Sequence, residues 1–376
     1  METSVEQILS SYDDRAALSE ASTIPAPWYT DCRIAEMERL SVFSRTWQLV
    51  ARTNQLQSPG QFVTTLLAGE PVVVVRDNDG RLRAFYNVCR HHAAAVVTQP
   101  CGQAAILQCP YHGWKYGLDG SLKGMPEFEG VKNFDRAQNG LVPIRVETWE
   151  CFVFINLDDD AVSLQEFLGG LVKRVAPLGI SKLHYFDRRT YDIRCNWKVY
   201  VDNYLDGGYH VPYLHKELNS VLDYKQYTIE NEDRYCLQSS PMVTSNEDAA
   251  TGSTRKGDRA CYFWQYPNLM INCYEGYMDT NYVIPVDADH CRVVFDFYFD
   301  DVSEARAEYN KESVDVGNRV QDEDLGICED VQRGLKSRAY GAGRLSVRRE
   351  AGEQLFHRLL ATDLKRQTAA STAAAD

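Results

Sequence analysis

Cys89-Arg90-His91 and Cys109-Pro110-Tyr111-His112 are the two stretches that decide the fold of this 376-residue chain. Seventeen residues separate them, so the pattern is C-x-H followed by C-x2-H. Two thiolates and two imidazoles in this order are the ligands expected for a two-iron, two-sulfide cluster, with the thiolates on one iron and the imidazoles on the other. A zinc site could use the same four side chains, but structural zinc motifs usually group Cys with Cys and His with His. The interleaved order therefore favours a one-electron carrier.

The sequence around these pairs predicts a small β domain. Pro110 and Gly113 are suited to a loop that wraps closely over a cluster and directs backbone N–H groups at sulfur. His92 falls outside the ligand spacing and is interpreted as an outer or surface residue. Runs rich in β-branched and aromatic residues, separated by turn signals, predict short strands. These runs are 61–67, 71–75, 82–87 and 151–156.

Length and patterning predict two domains. We expect an α+β protein in which a small all-β domain is inserted in a larger α+β domain, whose antiparallel sheet is flanked by helices. The boundaries suggested by the sequence are 1–44 for the N-terminal part of the larger domain, 45–155 for the cluster domain and 156–366 for the rest of the larger domain. Residues 367–376 are mostly Ala, Thr and Ser and are predicted to be a disordered tail.

Composition argues against several classes of protein. With 44% hydrophobic and 25% charged residues, the chain has the composition of a soluble globular protein. Its longest apolar stretches are far below the roughly 20 residues that span a bilayer, so we expect no membrane contact. A formal net charge of −13 argues against nucleic-acid binding and suits a cationic ligand. The acid-rich N-terminal residues argue against a targeting signal and predict a cytosolic location.

His210 and His215 predict a second metal site. On a helix, Asn203, Asp206 and His210 would lie within about 60° of one another. Gly207-Gly208 loosens that helix and Pro212 interrupts its hydrogen bonds, so the chain can bend and bring both imidazoles to one point.

A carboxylate would complete this site. Asp324 lies on the apolar stripe of a predicted amphipathic helix, and a buried carboxylate is normally paired or metal-bound. The stripe also contains Val320, Cys328, Val331 and Leu335. Asp322 and Glu323 point elsewhere and are interpreted as solvated. Two His and one carboxylate form the facial triad of non-haem ferrous enzymes, which leaves positions open for dioxygen. The alternative is that the histidines belong to the core and Asp324 pairs with an Arg such as Arg333.

These residues resemble the oxygenase (alpha) subunit of the Rieske non-haem iron oxygenases over about 28–360. The narrower likeness, to choline monooxygenases and related quaternary-ammonium oxygenases, rests on 202–206, 209–213, 266–268 and 331–335. The resemblance implies a mononuclear Fe(II) at His210, His215 and Asp324, and dioxygen as co-substrate. It further implies a monooxygenase that hydroxylates a carbinol or N-methyl carbon of a choline-, betaine- or carnitine-like substrate. The alternative is a dioxygenase or demethylase that acts on an aromatic or other small organic molecule.

The resemblance also implies partners. In that family the oxygenase is commonly a trimer, and the cluster of one subunit feeds the iron of its neighbour through a bridging carboxylate. Many members carry this acid three residues before the first iron-binding His, where this chain has Gly207. Asp206 is our bridge candidate, with Asn203 on the same helical face, and Asp202 is the competing acid. No nucleotide fingerprint follows a strand, so the electrons are expected from a separate reductase or ferredoxin.

Aromatic residues predict a wall for the substrate. Aromatic faces attract trimethylammonium groups through cation–π interactions. The candidates are Trp264, Tyr266, Tyr274 and Tyr277. An aromatic strand is equally compatible with an ordinary core, and both interpretations stay open.

Overall fold

The computed structural model describes residues 3–243 and 254–373, and the chain forms two compact units. The larger unit joins the residues up to 38 with those from 168 onward, and the smaller unit comprises 39–167. The smaller unit is thus inserted in the sequence of the larger one. The predicted class, α+β with an inserted all-β domain, is confirmed.

The smaller unit is built from short antiparallel strands. They are β1 (Gln48–Arg52), β2 (Gln61–Leu67), β3 (Glu70–Arg76), β4 (Leu82–Tyr86), β5 (Cys101–Gln103), β6 (Leu107–Gln108), β7 (Lys115–Tyr116), β8 (Leu122–Gly124), β9 (Pro143–Trp149) and β10 (Phe152–Asn156). One sheet has the order β1-β10-β9-β4-β3-β2-β5, and β6-β7-β8 form a second. The four strands expected from the sequence are therefore present, as β2, β3, β4 and β10.

Strand β3 divides the interior of the smaller unit. Its valines are buried on both faces, as a continuous β-branched run predicts. Val73 and Val75 pack in the same hydrophobic cluster as Cys89 and Cys109. The alternate valines, Val72 and Val74, pack in a separate cluster on the opposite face. The loops with the Cys/His pairs thus rest on one of two packed layers.

The larger unit contains a seven-stranded antiparallel sheet. Its strands are β11 (His184–Ile193), β12 (Thr228–Glu232), β13 (Tyr235–Pro241), β14 (Arg259–Gln265), β15 (Leu269–Tyr274), β16 (Tyr277–Pro285) and β17 (Cys291–Phe299). Their order is β11-β17-β16-β15-β14-β13-β12. The alternation around Phe295 and Phe297 predicts a half-buried β17, but residues 295–299 are buried on both faces. Asp296 tolerates burial because Arg188 donates two hydrogen bonds to its carboxylate, at 2.6 and 2.7 Å.

The α-helices belong to the larger unit, except that α4 begins in the smaller one. They are α1 (Val5–Ser10), α2 (Ala26–Thr30), α3 (Cys32–Glu38), α4 (Leu164–Leu168), α5 (Leu171–Val175), α6 (Trp197–Leu205), α7 (Val211–Leu214), α8 (Lys216–Val221), α9 (Ala307–Leu335) and α10 (Ala351–Ala373). Within the described residues, no helix combines the length and apolar character needed to cross a bilayer.

The last helix corrects the predicted disordered tail. Helix α10 continues through residues 367–373, and residues 374–376 lie outside the described part of the chain. Low hydrophobicity suggested disorder, but Ala has the highest intrinsic helix propensity, so an existing helix can propagate into this segment.

Candidate functional site

Two loops of the smaller unit bring the Cys/His pairs together. The Cys89 and Cys109 side chains are buried in one hydrophobic cluster. The Cys89 N–H donates to the Ala94 carbonyl at 2.8 Å, and the Cys109 N–H donates to the Trp114 carbonyl at 2.8 Å. Burial, with a further contribution from the neighbouring Cys89, raises the pKa of the Cys109 thiol. Such a buried thiol needs a nearby cation to hold it as a thiolate.

The two imidazoles of the pattern also meet. The ring centroids of His91 and His112 are 4.7 Å apart, and His91 stacks on Trp114 with an interplanar angle of 5°. Burial and then the neighbouring His92 and His112 lower the pKa of His91, which favours the neutral ring that can bind a metal. His92 lies close enough to share a metal-sized space with both rings. The structure thus places the two thiols in one hydrophobic cluster and brings the imidazoles of His91 and His112 together, with His92 beside them.

Sequence reasoning missed Tyr116. Its hydroxyl accepts a hydrogen bond from the Arg90 N–H at 3.0 Å and lies 3.3 Å from Cys89 Sγ. Burial and the Cys89 thiol raise the pKa of Tyr116, so the hydroxyl stays protonated. A hydrogen bond donated to a ligand sulfur is one way a protein sets the potential of a cluster. The alternation of β7 could have indicated an inward Tyr116, but not its contact with Cys89.

A second group of ligands lies in the larger unit. Nitrogen atoms of His210 and His215 and an oxygen of Asp324 all lie within 4.8 Å of one another. His215 Nε2 is 3.0 Å and His210 Nε2 is 3.9 Å from Asp324 Oδ1. His215 and Asp324 are 2% and 8% exposed. This set of two imidazoles and one carboxylate has the donors of a ferrous facial triad.

The helix expected to carry both Asn203 and His210 is interrupted. Helix α6 ends at Leu205, and α7 begins at Val211, just after His210. Between them Gly207 and Gly208 both have φ of +68°, a left-handed conformation that glycine adopts readily. Pro212 lies in the first turn of α7, where its missing N–H costs no helical hydrogen bond. The reversal at the two glycines turns His210 toward His215.

Carboxylates on the far side of each imidazole orient the two rings. Asp206 Oδ2 accepts from His210 Nδ1 at 2.6 Å and from the His210 N–H at 2.9 Å. Glu323 Oε2 accepts from His215 Nδ1 at 2.6 Å. Each Nε2 is thereby left free for a metal. The interpretation of Glu323 as simply solvated is wrong, because its half-exposed side chain reaches the buried ring.

These acids also change the protonation of the site. Burial of His215 opposes its charged form, but the hydrogen bonds and charges of Asp324 and Glu323 outweigh burial and raise the pKa of His215. Asn203 Nδ2 donates to Asp324 Oδ1 at 2.9 Å, so α6 helps to fix this carboxylate. Asp202, the competing acid, is engaged elsewhere: Tyr29 donates to it at 2.6 Å and His357 Nε2 lies 3.0 Å from it.

A cavity of about 130 Å³ adjoins the triad. It is lined by side chains of α6, α9 and the sheet, including those of the triad itself. Five tyrosines contribute to its wall, and they are Tyr200, Tyr204, Tyr227, Tyr262 and Tyr274. Asp279 and Arg255, both buried, line the same cavity. Burial raises the pKa of Asp279, although Arg255 and three hydrogen-bond donors oppose that shift.

The aromatic candidates have different locations. Tyr274 lines the cavity. Tyr277 does not line it, but its hydroxyl contacts both Arg255 and Asp279. Trp264 and Tyr266 are not brought to the cavity. The Trp264 ring packs 5.6 Å from Phe356 of α10, and Tyr266 donates to Asp363 of the same helix at 2.9 Å. Trp264 and Tyr266 lie two and four residues after Tyr262 and therefore share its face of the sheet. At their end of that face, however, α10 packs against the sheet.

Family models match both units of the chain. The model described as Rieske [2Fe-2S] domain matches residues 46–135. The model described as ring hydroxylating alpha subunit (catalytic domain) matches residues 180–365. The two ranges contain the two groups of candidate ligands separately.

Relatives similar over most of this chain were also found. A chloroplastic choline monooxygenase of Arabidopsis thaliana is 39% identical over 372 residues, covering 96% of this chain and 87% of the relative. The carnitine monooxygenase oxygenase subunit of Escherichia coli K12 is 35% identical over a match that covers 92% of this chain and 95% of the relative. The solved structure of a quaternary ammonium Rieske monooxygenase in complex with its substrate L-carnitine superposes with a TM-score of 0.81 at 31% identity. The match covers 96% of this chain and 99% of the solved one.

Proposed function

The chain belongs to the Rieske non-haem iron oxygenases as an oxygenase alpha subunit, and from that premise we propose that it hydroxylates a small quaternary ammonium compound. Its cofactors are a [2Fe-2S] cluster and a mononuclear iron, and dioxygen is its co-substrate. The observation that carries the substrate proposal is the cavity that adjoins the triad and is lined by five tyrosines and Asp279.

The ligand roles are part of the proposal. Cys89, Cys109, His91 and His112 hold the cluster, supported by the burial of both thiols and the 4.7 Å separation of the two imidazole rings. His210, His215 and Asp324 hold the iron, supported by their mutual distances and by the carboxylates on each Nδ1. When bound, the iron activates dioxygen and the cluster supplies single electrons. The chain's own side chains orient these ligands and shape the cavity.

The tyrosines suit a methylated cation because their hydroxyl groups are hydrogen bonded within the protein. Tyr262 and Tyr274 bond each other at 2.7 Å, and Tyr204 donates to Asn272 at 2.8 Å. Fixed rings offer π-faces at little entropic cost, and a desolvated cation–π contact contributes about 2 kcal/mol or more. Asp279 adds a carboxylate that can balance the charge of the ligand. The carbon oxidised is a carbinol or N-methyl carbon of that ligand.

The substrate proposal is tested by oxygen consumption. We expect the purified holoenzyme with a surrogate reductase to couple oxygen uptake to product formation with at least one of choline, glycine betaine and carnitine. An aromatic acid is the comparison substrate. Coupled uptake with the aromatic acid alone would instead support an aromatic-ring oxygenase.

Partners follow from the family. The proposal includes a separate reductase or ferredoxin as electron donor and a homotrimer in which the cluster of one subunit serves the iron of another. A cytosolic location stays a prediction from the sequence.

Asp206 is proposed as the acid that carries electrons to the iron. An acid at position 207 is excluded here, because a Cβ on Gly207 would lie 2.1 Å from the Arg349 carbonyl oxygen. We expect Asp206→Asn to keep its iron but to lower turnover about 10- to 100-fold, the range for loss of an outer partner of a metal ligand. The measurement is re-oxidation of the reduced cluster in a single turnover with substrate and oxygen.

Asp202→Asn is the matched comparison. Because Asp202 contacts Tyr29 and His357 rather than His210, this variant should re-oxidise its cluster at nearly the normal rate. Slow re-oxidation in Asp202→Asn together with a normal rate in Asp206→Asn would transfer the role to Asp202.

A further inference from the structure

Arg255 is a buried cation in the wall of the proposed substrate cavity. Its side chain lines the cavity together with Tyr274 and Asp279, and the residue is 6% exposed. The guanidinium lies over the ring of Tyr277, 4.1 Å from its centroid, and 5.3 Å from that of Tyr274. A long basic side chain at such a place is costly unless its charge is balanced.

The hydrogen bonds of Arg255 go to neutral groups. Nη1 donates to Ser313 Oγ at 2.5 Å, and Nη2 donates to the Ser313 carbonyl at 3.2 Å and to the Tyr277 hydroxyl at 3.1 Å. Across residues 3–243 and 254–373, no carboxylate forms an ion pair with this guanidinium within 4.0 Å. Buried arginines usually pair with a carboxylate, often through two parallel hydrogen bonds.

Asp279, the acid nearest in the network, is occupied by other donors. It accepts from the Tyr277 hydroxyl at 2.7 Å, from Asn272 Nδ2 at 2.7 Å and from Asn281 Nδ2 at 3.0 Å. Tyr277 therefore stands between the two charged groups and bonds to both. The cavity wall thus presents a cation and an anion as separate features rather than as one closed ion pair.

We propose that Arg255 binds a carboxylate of the substrate, so that the preferred substrate is a zwitterionic quaternary ammonium carboxylate rather than a quaternary ammonium alcohol. This inference rests on the proposed function and narrows its substrate class. Glycine betaine and carnitine are of the zwitterionic class, and choline is of the alcohol class. The tyrosines and Asp279 receive the ammonium group, and Arg255 receives the opposite charge.

The charge of the cavity favours the zwitterion. With choline bound, the cavity contains the cations of Arg255 and of the ligand, and among the described residues Asp279 is the one acid of the wall beyond the triad. With a betaine bound, the carboxylate of the ligand adds one negative charge. The filled cavity carries one positive charge more with choline than with a betaine, whatever the protonation of Asp279. In a desolvated site this difference disfavours choline.

The test is calorimetric titration of the purified holoenzyme with choline, glycine betaine and carnitine. Wild type should bind a carboxylate-bearing ligand more tightly than choline. Arg255→Gln should weaken binding of that ligand by roughly 30-fold or more, the lower end for truncating one partner of a buried charged pair. The same variant should bind choline as well as wild type or better, because it removes a like charge.

Two further variants separate binding from folding. Arg255→Lys keeps the charge without the planar fork, so it should retain part of the affinity for the carboxylate ligand. Arg259→Gln, at an exposed position at the start of β14, should bind as wild type does. The visible spectrum of the cluster and the unfolding midpoint report whether each variant is folded.

The outcomes are distinguishable. The inference is overturned if wild type binds choline as tightly as both carboxylate ligands. It is also overturned if Arg255→Gln loses the same affinity for all three ligands. Both results leave the proposed function standing. If wild type binds none of the three compounds and oxidises none of them, the proposed function itself fails.

Discussion

Replacing either His210 or His215 by Ala is expected to abolish substrate oxidation while leaving the [2Fe-2S] cluster intact. Each imidazole supplies one of three donors that lie within 4.8 Å of one another, and two remaining donors bind a divalent iron poorly. Turnover should fall by more than the roughly 100-fold upper end for loss of an outer partner. The cluster should survive because its proposed ligands belong to the other compact unit, residues 39–167.

Iron analysis, visible absorption and oxygen uptake check this result together. The variants should lose one iron per chain, keep the absorption of the cluster and fail to couple oxygen uptake to product. His290→Ala is the matched control, because His290 is exposed and contacts Asp287 on its own turn; it should retain iron and activity. Full turnover by His210→Ala or His215→Ala would show that the iron is bound elsewhere.

Removing Glu38 is expected to destabilise the larger unit by about 3–5 kcal/mol, as when one partner of a buried ion pair is lost. Lys198 and Glu38 are 0% and 1% exposed, and Lys198 Nζ lies 2.6 Å from Glu38 Oε1. Trp197 Nε1 donates to the second carboxylate oxygen at 2.8 Å. In Glu38→Ala the ammonium would stay buried at the start of α6, the helix that carries Asn203.

The loss should depend on pH. Burial lowers the pKa of Lys198 despite the opposing charge of Glu38, so the folded state releases the lysine proton at a lower pH than the unfolded chain. Between these two pKa values the unfolded state binds more protons, and stability rises with pH. Without Glu38 the pKa of Lys198 should fall further. The stability lost in Glu38→Ala should therefore become smaller as the pH rises toward the pKa of a free lysine.

Urea unfolding at several pH values measures this effect. The control is the ion pair of Arg174 and Glu230, whose side chains are 43% and 46% exposed. Glu230→Ala should lower the free energy of unfolding by about 1 kcal/mol or less. The double variant Glu38→Gln with Lys198→Met removes both charges and should recover much of the stability. A cost for Glu38→Ala as small as that of Glu230→Ala would mean that water reaches Lys198.

The candidate site was partly predictable because some of its signals are local. Cys89-x-His91 and Cys109-x2-His112 are the proposed cluster ligands, and their residue types and spacing alone predict this cofactor. Asp324 was identified because an acid on an apolar helical stripe needs a partner, and α9 places it 3.0 Å from His215 Nε2. Strand alternation, in contrast, indicates which residues share a face but not what covers that face. Tyr262 and Tyr274 therefore line the cavity, whereas Trp264 packs on α10.

The sequence alone was enough to predict the class of the protein, a small domain inserted in a larger one and the ligand types proposed for both metal centres, because these depend on periodicity and on the chemistry of single side chains. Which side chains contact one another at the site became apparent only from the tertiary structure. It brought Glu323 to His215, Tyr116 to Cys89 and Arg255 to the cavity, each through contacts between separate segments. Such contacts follow from the packing of helices on a sheet, which no local pattern encodes. The charge of Arg255 is visible in the sequence, but only the fold shows that no carboxylate among residues 3–243 and 254–373 pairs with it.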